Sequence, residues 1–90
     1  MTPKRSFELI DQYARKQHAC FLAEMFLNRT KTEYILCFRP AEAANNPDRY
    51  TCRYIQLEIG TVETLEQATE LNESTKALLD KELANLKSSR

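Results

Sequence analysis

The sequence predicts an α+β domain in which two long helices pack on an antiparallel hairpin. Apolar side chains recur at helical spacing in residues 3–27 and again in residues 64–86. Between these segments, residues 32–39 and 49–59 are rich in the aromatic and β-branched side chains that favour strands. A turn-forming stretch from Pro40 to Asp48 separates the two strands. The predicted order is therefore α-β-β-α, and ninety residues suffice for one domain with a modest core.

The first predicted helix begins near Pro3 and ends near Leu27. Thr2 suits the N-cap, and Pro3 suits the first turn, where a missing N–H costs nothing. The apolar positions fall on one helical stripe: Phe7, Ile10, Ala14, Phe21 and Met25. Residues 19–27 are apolar on nearly every side and contain no β-branched residue, so the helix is predicted to continue through them. A helix of this kind must be covered on most of its sides.

The two predicted strands each hold one cysteine. If the hairpin is symmetric about the middle of its loop, Cys37 lies opposite Cys52, because both are equally far from the junction of Ala44 and Asn45. Directly opposite residues have Cβ atoms about 4.5–5.5 Å apart, which is close to bridging distance. The pair is therefore either a redox-controlled bridge or two small buried apolar residues.

The second predicted helix follows Gly60, which is expected to end the second strand. Thr64 and Gln67 match the N-cap and N3 positions of a capping box. From there to residue 86, leucines form one stripe and Glu and Lys occupy the other faces, as in an amphipathic helix.

Two strands and two helices leave both sheet edges and much of residues 19–27 uncovered. The sequence therefore predicts a homodimer, formed either by joining two hairpins into a four-stranded sheet or by packing the first helices together. The predicted interface residues are the large apolar side chains of that segment: Phe21, Leu22, Met25 and Phe26.

The charge balance excludes some classes of function. Thirteen basic and thirteen acidic residues give a formal net charge of zero, which disfavours nucleic acid as a partner.

The first residues lack the apolar core of a signal peptide, and residues 19–27 are too few to cross a bilayer. We therefore expect a cytoplasmic protein with no membrane segment, whose three cysteines are reduced.

No metal, cofactor or catalytic site is predicted. His18 and Cys20 would point roughly 200° apart on a helix, so both cannot reach one tetrahedral metal. Glu33 and Glu58 are candidates for a carboxylate pair near one end of the sheet, but nothing in the sequence sets their separation. One glycine in the whole chain disfavours a Gly-rich phosphate loop.

By elimination, the favoured function is protein–protein interaction, as an adaptor, inhibitor or regulator that acts as a homodimer and binds another protein. One alternative is a ligand- or nucleic-acid-binding face, where bases or a planar ligand stack on tyrosines and arginines anchor them. Its predicted residues are Arg39, Tyr50, Arg53 and Tyr54. The other alternative is a thiol redox switch at Cys37 and Cys52.

Overall fold

The computed structural model describes residues 3–41 and 52–88, with the side chains of residues 85, 87 and 88 excepted. Within these ranges the chain forms three helices and three strands. Their order is α1 (Arg5–His18), β1 (Cys20–Leu27), β2 (Glu33–Pro40), β3 (Arg53–Glu58), α2 (Ile59–Glu66) and α3 (Glu73–Ser88). The predicted α+β class is confirmed, but the predicted order α-β-β-α is wrong because a third strand follows the first helix.

The three strands form one antiparallel sheet in the order β1-β2-β3. Side chains alternate between its two faces. Leu36, Phe38, Ile55 and Leu57 are buried on one face, where they pack with apolar residues of all three helices. We call this the helix face. The opposite face, which no described helix covers, we call the outer face.

Residues 20–27 form a strand, which corrects the prediction that the first helix runs to residue 27. Ala19 adopts a left-handed conformation with φ of 51°, and its N–H donates to the Ala14 carbonyl as the helix ends. The chain then turns back as β1 and pairs with β2. Pairing in the sheet overrides the helix propensity of Ala, Leu, Glu and Met, which is only a weak local preference.

The predicted helix over residues 64–86 is also wrong, since two helices replace it. Helix α2 already begins at Ile59, and Thr64 lies inside it, donating its hydroxyl to the Gly60 carbonyl at 2.9 Å. Helix α3 begins after Asn72, whose side-chain oxygen accepts the Thr75 N–H at 2.9 Å. Asn72 is therefore the N-cap that the sequence prediction placed at Thr64.

The predicted cysteine register is wrong by two residues. Cys37 lies opposite Tyr54, and the ladder between β2 and β3 runs from the pair Glu33–Glu58 to the pair Phe38–Arg53. A shift of two leaves every side chain on its predicted face, whereas a shift of one would reverse them all. The predicted strand began at residue 49, and residues 49–51 lie outside the described ranges.

Glu66, the last residue of α2, closes the N-terminal end of α1. Its carboxylate accepts the backbone N–H groups of Lys4, Arg5 and Ser6 at 3.0, 3.1 and 2.9 Å. These bonds, that from Ser6 first, lower the pKa of Glu66 from 4.5 to about 2. A side chain from another helix thus satisfies the donors that a local N-cap would normally bind.

Asp80 of α3 holds the other end of α1. Its Oδ1 accepts the Tyr13 hydroxyl at 2.7 Å and lies 2.7 Å from Nε2 of His18. The hydrogen bond from Tyr13, followed by that from His18, lowers the pKa of Asp80. The same bond raises the pKa of the Tyr13 hydroxyl. Both ends of α1 are therefore fixed to the C-terminal helices by carboxylates.

Candidate functional site: an open strand edge and a pair of thiols

Strand β1 carries an exposed apolar segment at the edge of the sheet. Residues 23–27 are all exposed, and Met25, Phe26 and Leu27 are exposed to 40, 47 and 41%. Glu24 is the only charged residue in the strand. Among the described residues, no strand pairs with the edge of β1 that points away from β2. An unpaired edge that is apolar and nearly uncharged is the kind that adds a further strand.

The apolar side chains of β1 lie on both faces of the sheet. Phe26 lies opposite Ile35 on the outer face, while Met25 and Leu27 lie opposite Leu36 and Tyr34 on the helix face. An irregularity in the pairing between Leu22 and Glu24 inserts one extra residue, so that both Leu22 and Met25 face the helices. Apolar side chains therefore flank this edge on both the outer face and the helix face.

Helix α1 covers only the first part of this edge. Asp11 accepts the backbone N–H of Leu22 at 2.8 Å, which satisfies one donor that points away from the sheet. Beyond it, an open groove of about 440 Å³ lies between α1 and the strand. The groove is lined by four apolar residues, Pro3, Phe7, Leu22 and Met25, and by three charged ones, Lys4, Glu8 and Asp11.

The opposite edge, strand β3, is protected by polar and charged side chains. Its sequence alternates exposed polar or aromatic residues with buried Ile55 and Leu57. Arg53 donates from Nε to Glu82 of α3 at 3.0 Å, which ties this edge to the helix. Charged side chains at an edge discourage strand addition, so the two edges of this sheet differ in their capacity to bind.

The outer face carries the second candidate site, around the Cys37 thiol. Cys37 is 1% exposed although it lies on this face, with Glu24 opposite it on one side and Tyr54 on the other. Cys52 and the Tyr54 hydroxyl lie close enough to the Cys37 thiol to affect its pKa. Burial, followed by the neighbouring Cys52, raises the pKa of Cys37 to about 11. The same two thiols raise the pKa of Tyr54, which is exposed.

The structure separates the residues of the predicted ligand-binding face. Tyr54 and Arg39 lie on the outer face, whereas Arg53 lies on the helix face and is paired with Glu82. Tyr50 lies outside the described residues. One predicted anchor, Arg39, therefore shares the outer face with Tyr54, whereas the other, Arg53, lies on the opposite face.

The four predicted interface residues all lie on β1, but on different faces. Phe26 is exposed on the outer face, and Leu22 and Met25 line the groove. Phe21 is half-buried, with the Arg15 guanidinium 5.6 Å from its ring centroid. Sequence reasoning missed Leu27 and Asp11. The sequence signal for an edge strand is the run CFLAEMFL itself, which is apolar at both odd and even positions.

The remaining candidates do not assemble into a site. His18 ends α1 and bonds Asp80, while Cys20 begins β1 in the core and donates its thiol to the His18 backbone carbonyl at 3.2 Å. Glu33 lies directly opposite Glu58 at the end of the sheet. Over residues 3–41 and 52–88, no group of three or more Cys, His, Asp or Glu side chains is placed to hold a metal ion.

Comparison with known proteins identifies no relative. The chain matches none of the family models, curated proteins or solved structures with which it was compared. No helix in the described part of the chain combines the length and apolar character needed to cross a membrane. Functional inference therefore depends on the two surface features of the sheet.

Proposed function

We propose that the protein is an interaction module, acting as an adaptor or regulator, that forms a homodimer through the open edge of β1. The observation that carries the proposal is the run of five consecutive exposed residues, 23–27, on an edge strand with one charge. Isolated exposed apolar residues are ordinary, but a contiguous apolar strand edge marks a binding surface.

The hydrogen-bond pattern of the hairpin indicates which backbone groups are available. The Asn28 N–H donates to the Glu33 carbonyl at 2.9 Å, so Asn28 directs its backbone toward β2. In an antiparallel ladder this direction alternates. Phe26 therefore also points its backbone groups toward β2, while Met25 and Leu27 point theirs toward the open edge.

These groups are self-complementary about a two-fold axis at Phe26. If the axis is perpendicular to the sheet, Met25 of each copy lies opposite Leu27 of the other, and the two pairs exchange four backbone hydrogen bonds. Phe26 lies opposite Phe26 of the second copy in a non-hydrogen-bonded pair, where side chains come closest. Glu24 then lies opposite the neutral Asn28, so no like charges face each other across the join.

The remaining surface favours a second copy as the occupant. The axis at Phe26 keeps all helices on one face, so the grooves beside Met25 of the two copies face each other across the join. Each groove can then bury apolar side chains of the other copy. Zero net charge means that two copies of this chain approach without net repulsion. The resulting sheet has six strands and ends on both sides in the protected edge β3.

Binding of another protein is proposed for the outer face of this six-stranded sheet. Phe26 and Tyr54 are exposed there, and Ile35 between the strands is half-buried. Exposed aromatic residues on a rigid sheet provide contact area at low entropic cost, as in many protein interfaces.

Two matched substitutions test the dimer. Phe26 and Gln56 both lie opposite Ile35, one on each edge of the sheet. Phe26→Lys places two lysines opposite each other at the proposed axis, so we expect a monomer where the wild type is a dimer at tens of micromolar. Gln56→Lys adds the same charge to the other edge and should leave the dimer intact. Sedimentation equilibrium or light scattering measures both.

A charge-swap experiment tests the position of the axis. Phe26→Lys and Phe26→Glu chains should each be monomeric alone and should form a heterodimer when mixed, because opposite charges then face each other. A wild-type monomer at these concentrations, or an unchanged dimer in the Phe26→Lys variant, would contradict the proposal.

A further inference from the structure

We infer that Cys52 and Cys37 form a site of reversible oxidation by low-molecular-weight disulfides such as oxidised glutathione. Cys52 is the residue that reacts with the small disulfide, and Cys37 displaces the glutathione to form an intramolecular bridge. The inference concerns the outer face at β3 and does not depend on the dimer proposed at β1.

The sheet places the two thiols side by side. Cys37 lies opposite Tyr54, and Cys52 precedes Tyr54 by two residues, so Cys52 is one diagonal step from Cys37 on the same face. Cys52 also lies close enough to the Cys37 thiol to raise its pKa. The third cysteine, Cys20, is buried in the core on the helix face and does not compete.

The two thiols differ in access, and this difference sets their order of reaction. Cys37 is 1% exposed, whereas Cys52 is partly exposed, so a tripeptide disulfide reaches Cys52 first. Burial also raises the pKa of Cys37, which keeps this thiol protonated and slow to react with disulfides from solution. A buried thiol beside an accessible one is suited to the second, resolving step.

The chemistry is two successive thiol–disulfide exchanges. In the first, the Cys52 thiolate attacks one sulfur of oxidised glutathione, and the other glutathione leaves as a thiolate that takes up a proton. In the second, Cys37 loses its proton and attacks the Cys52 sulfur, which releases the second glutathione. The protein loses two hydrogens, and the two electrons reduce one glutathione disulfide to two thiols.

Closing the bridge requires a small movement of Cys52. Diagonal neighbours have Cα atoms about 7–8 Å apart, slightly beyond the usual 4.4–6.8 Å span of a disulfide. Cys52 lies outside β3, since the described ladder ends at Arg53 opposite Phe38. The backbone of Cys52 is therefore not fixed by a ladder bond and can move the short distance toward Cys37.

The test is the intact mass of the protein after incubation with oxidised glutathione and alkylation of the remaining thiols. Wild type and Cys20→Ala should lose the mass of two hydrogens through the bridge, and a proteolytic digest should contain Cys37 linked to Cys52. Cys37→Ala should instead retain one glutathione, attached to Cys52. Cys52→Ala should form no bridge, and it should acquire a glutathione adduct more slowly than Cys37→Ala does.

The digest of wild-type protein keeps the test decisive even if a cysteine variant fails to fold. Wild type that keeps all thiols, or that accumulates the glutathione adduct without closing it, would overturn the inference. So would a Cys52→Ala protein that reacts at Cys37 as fast as Cys37→Ala reacts at Cys52.

Discussion

Glu66 illustrates how far a local structure can depend on a distant side chain. Helix α1 begins after Lys4, which offers no side-chain cap, and the donors of its first turn bind a carboxylate 60 to 62 residues later. A charge-assisted bond at a helix N-terminus also interacts favourably with the helix dipole. The acidity of Glu66 therefore reports directly on the docking of α2 against α1.

Replacing Glu66 by Gln should make the protein less stable and less sensitive to acid. The pKa of Glu66 is about 2 in the folded protein and 4.5 ordinarily. Because the folded value is depressed, this stabilisation is complete above pH 4.5 and is lost as pH falls from 4.5 toward 2. We expect Glu66→Gln to melt several degrees lower at neutral pH and to lose less stability over that window than wild type.

Thermal melts followed by circular dichroism at a series of pH values measure both effects. Glu63→Gln is the matched control, because Glu63 is exposed on the same helix. It removes one carboxylate without touching α1 and should melt like wild type. Equal acid sensitivity of wild type and Glu66→Gln would show that Glu66 does not carry the effect.

Single residues were predicted well from the sequence where the chemistry is local. Strand β2 ends at Pro40, one residue later than predicted, and Cys37 and Cys52 lie on one face as expected. The exact register could not be predicted, because a shift of two residues leaves every side chain on the same face and so does not alter the apolar pattern. The role of Glu66 was equally invisible, since no local pattern connects residue 66 with residues 4–6.

At the scale of elements, the junction at Ala19 decides between helix and strand. Left-handed conformation at a helix end usually marks glycine, and the sequence has alanine there. Without that signal, the helix-favouring run after it is read as a continuation of α1. The fact that this run is apolar on both sides fits an edge strand equally well, and only pairing with β2 distinguishes the two.

Ala19→Gly should stabilise the protein. With φ of 51°, Ala19 is held in a conformation that costs an L-residue roughly 1–2 kcal/mol and costs glycine almost nothing. We expect a gain of about 0.5–1 kcal/mol in the free energy of unfolding, after allowing for the greater freedom of glycine in the unfolded chain.

Urea unfolding measures the change, and Ala14→Gly provides the contrast. Ala14 is fully buried within the same helix, so the same substitution there should destabilise by about 1 kcal/mol or more. A destabilising effect of Ala19→Gly would contradict the left-handed conformation of Ala19 at the end of α1.

At the scale of the whole molecule, the α+β class followed from composition and periodicity, whereas the number of strands did not. With only two strands and two helices predicted, much of the apolar surface of residues 19–27 remained uncovered, and a partner was therefore predicted. The structure places that segment in the sheet, which buries Cys20 and half-buries Leu22 but leaves Met25 and Phe26 exposed. The exposed apolar surface that a partner would cover is therefore smaller than predicted, and it lies along one edge of the sheet.

A dimer joined at this edge makes stability depend on concentration. Association stabilises the folded state by mass action, and each tenfold increase in protein concentration corresponds to about 1.4 kcal/mol of association free energy. We expect the thermal midpoint of wild type to rise across a hundredfold concentration series. The Phe26→Lys variant should show a constant midpoint, and a constant midpoint for wild type would count against the dimer.

The contact between Glu66 and residues 4–6 has a consequence for the order of events during synthesis. The N–H groups that open α1 leave the ribosome before their partner carboxylate, which emerges some sixty residues later. Until then α1 has only its own marginal helix-forming tendency. The nascent chain therefore completes α1 late, and we expect that chains arrested before residue 66 leave this segment open to chaperones and proteases.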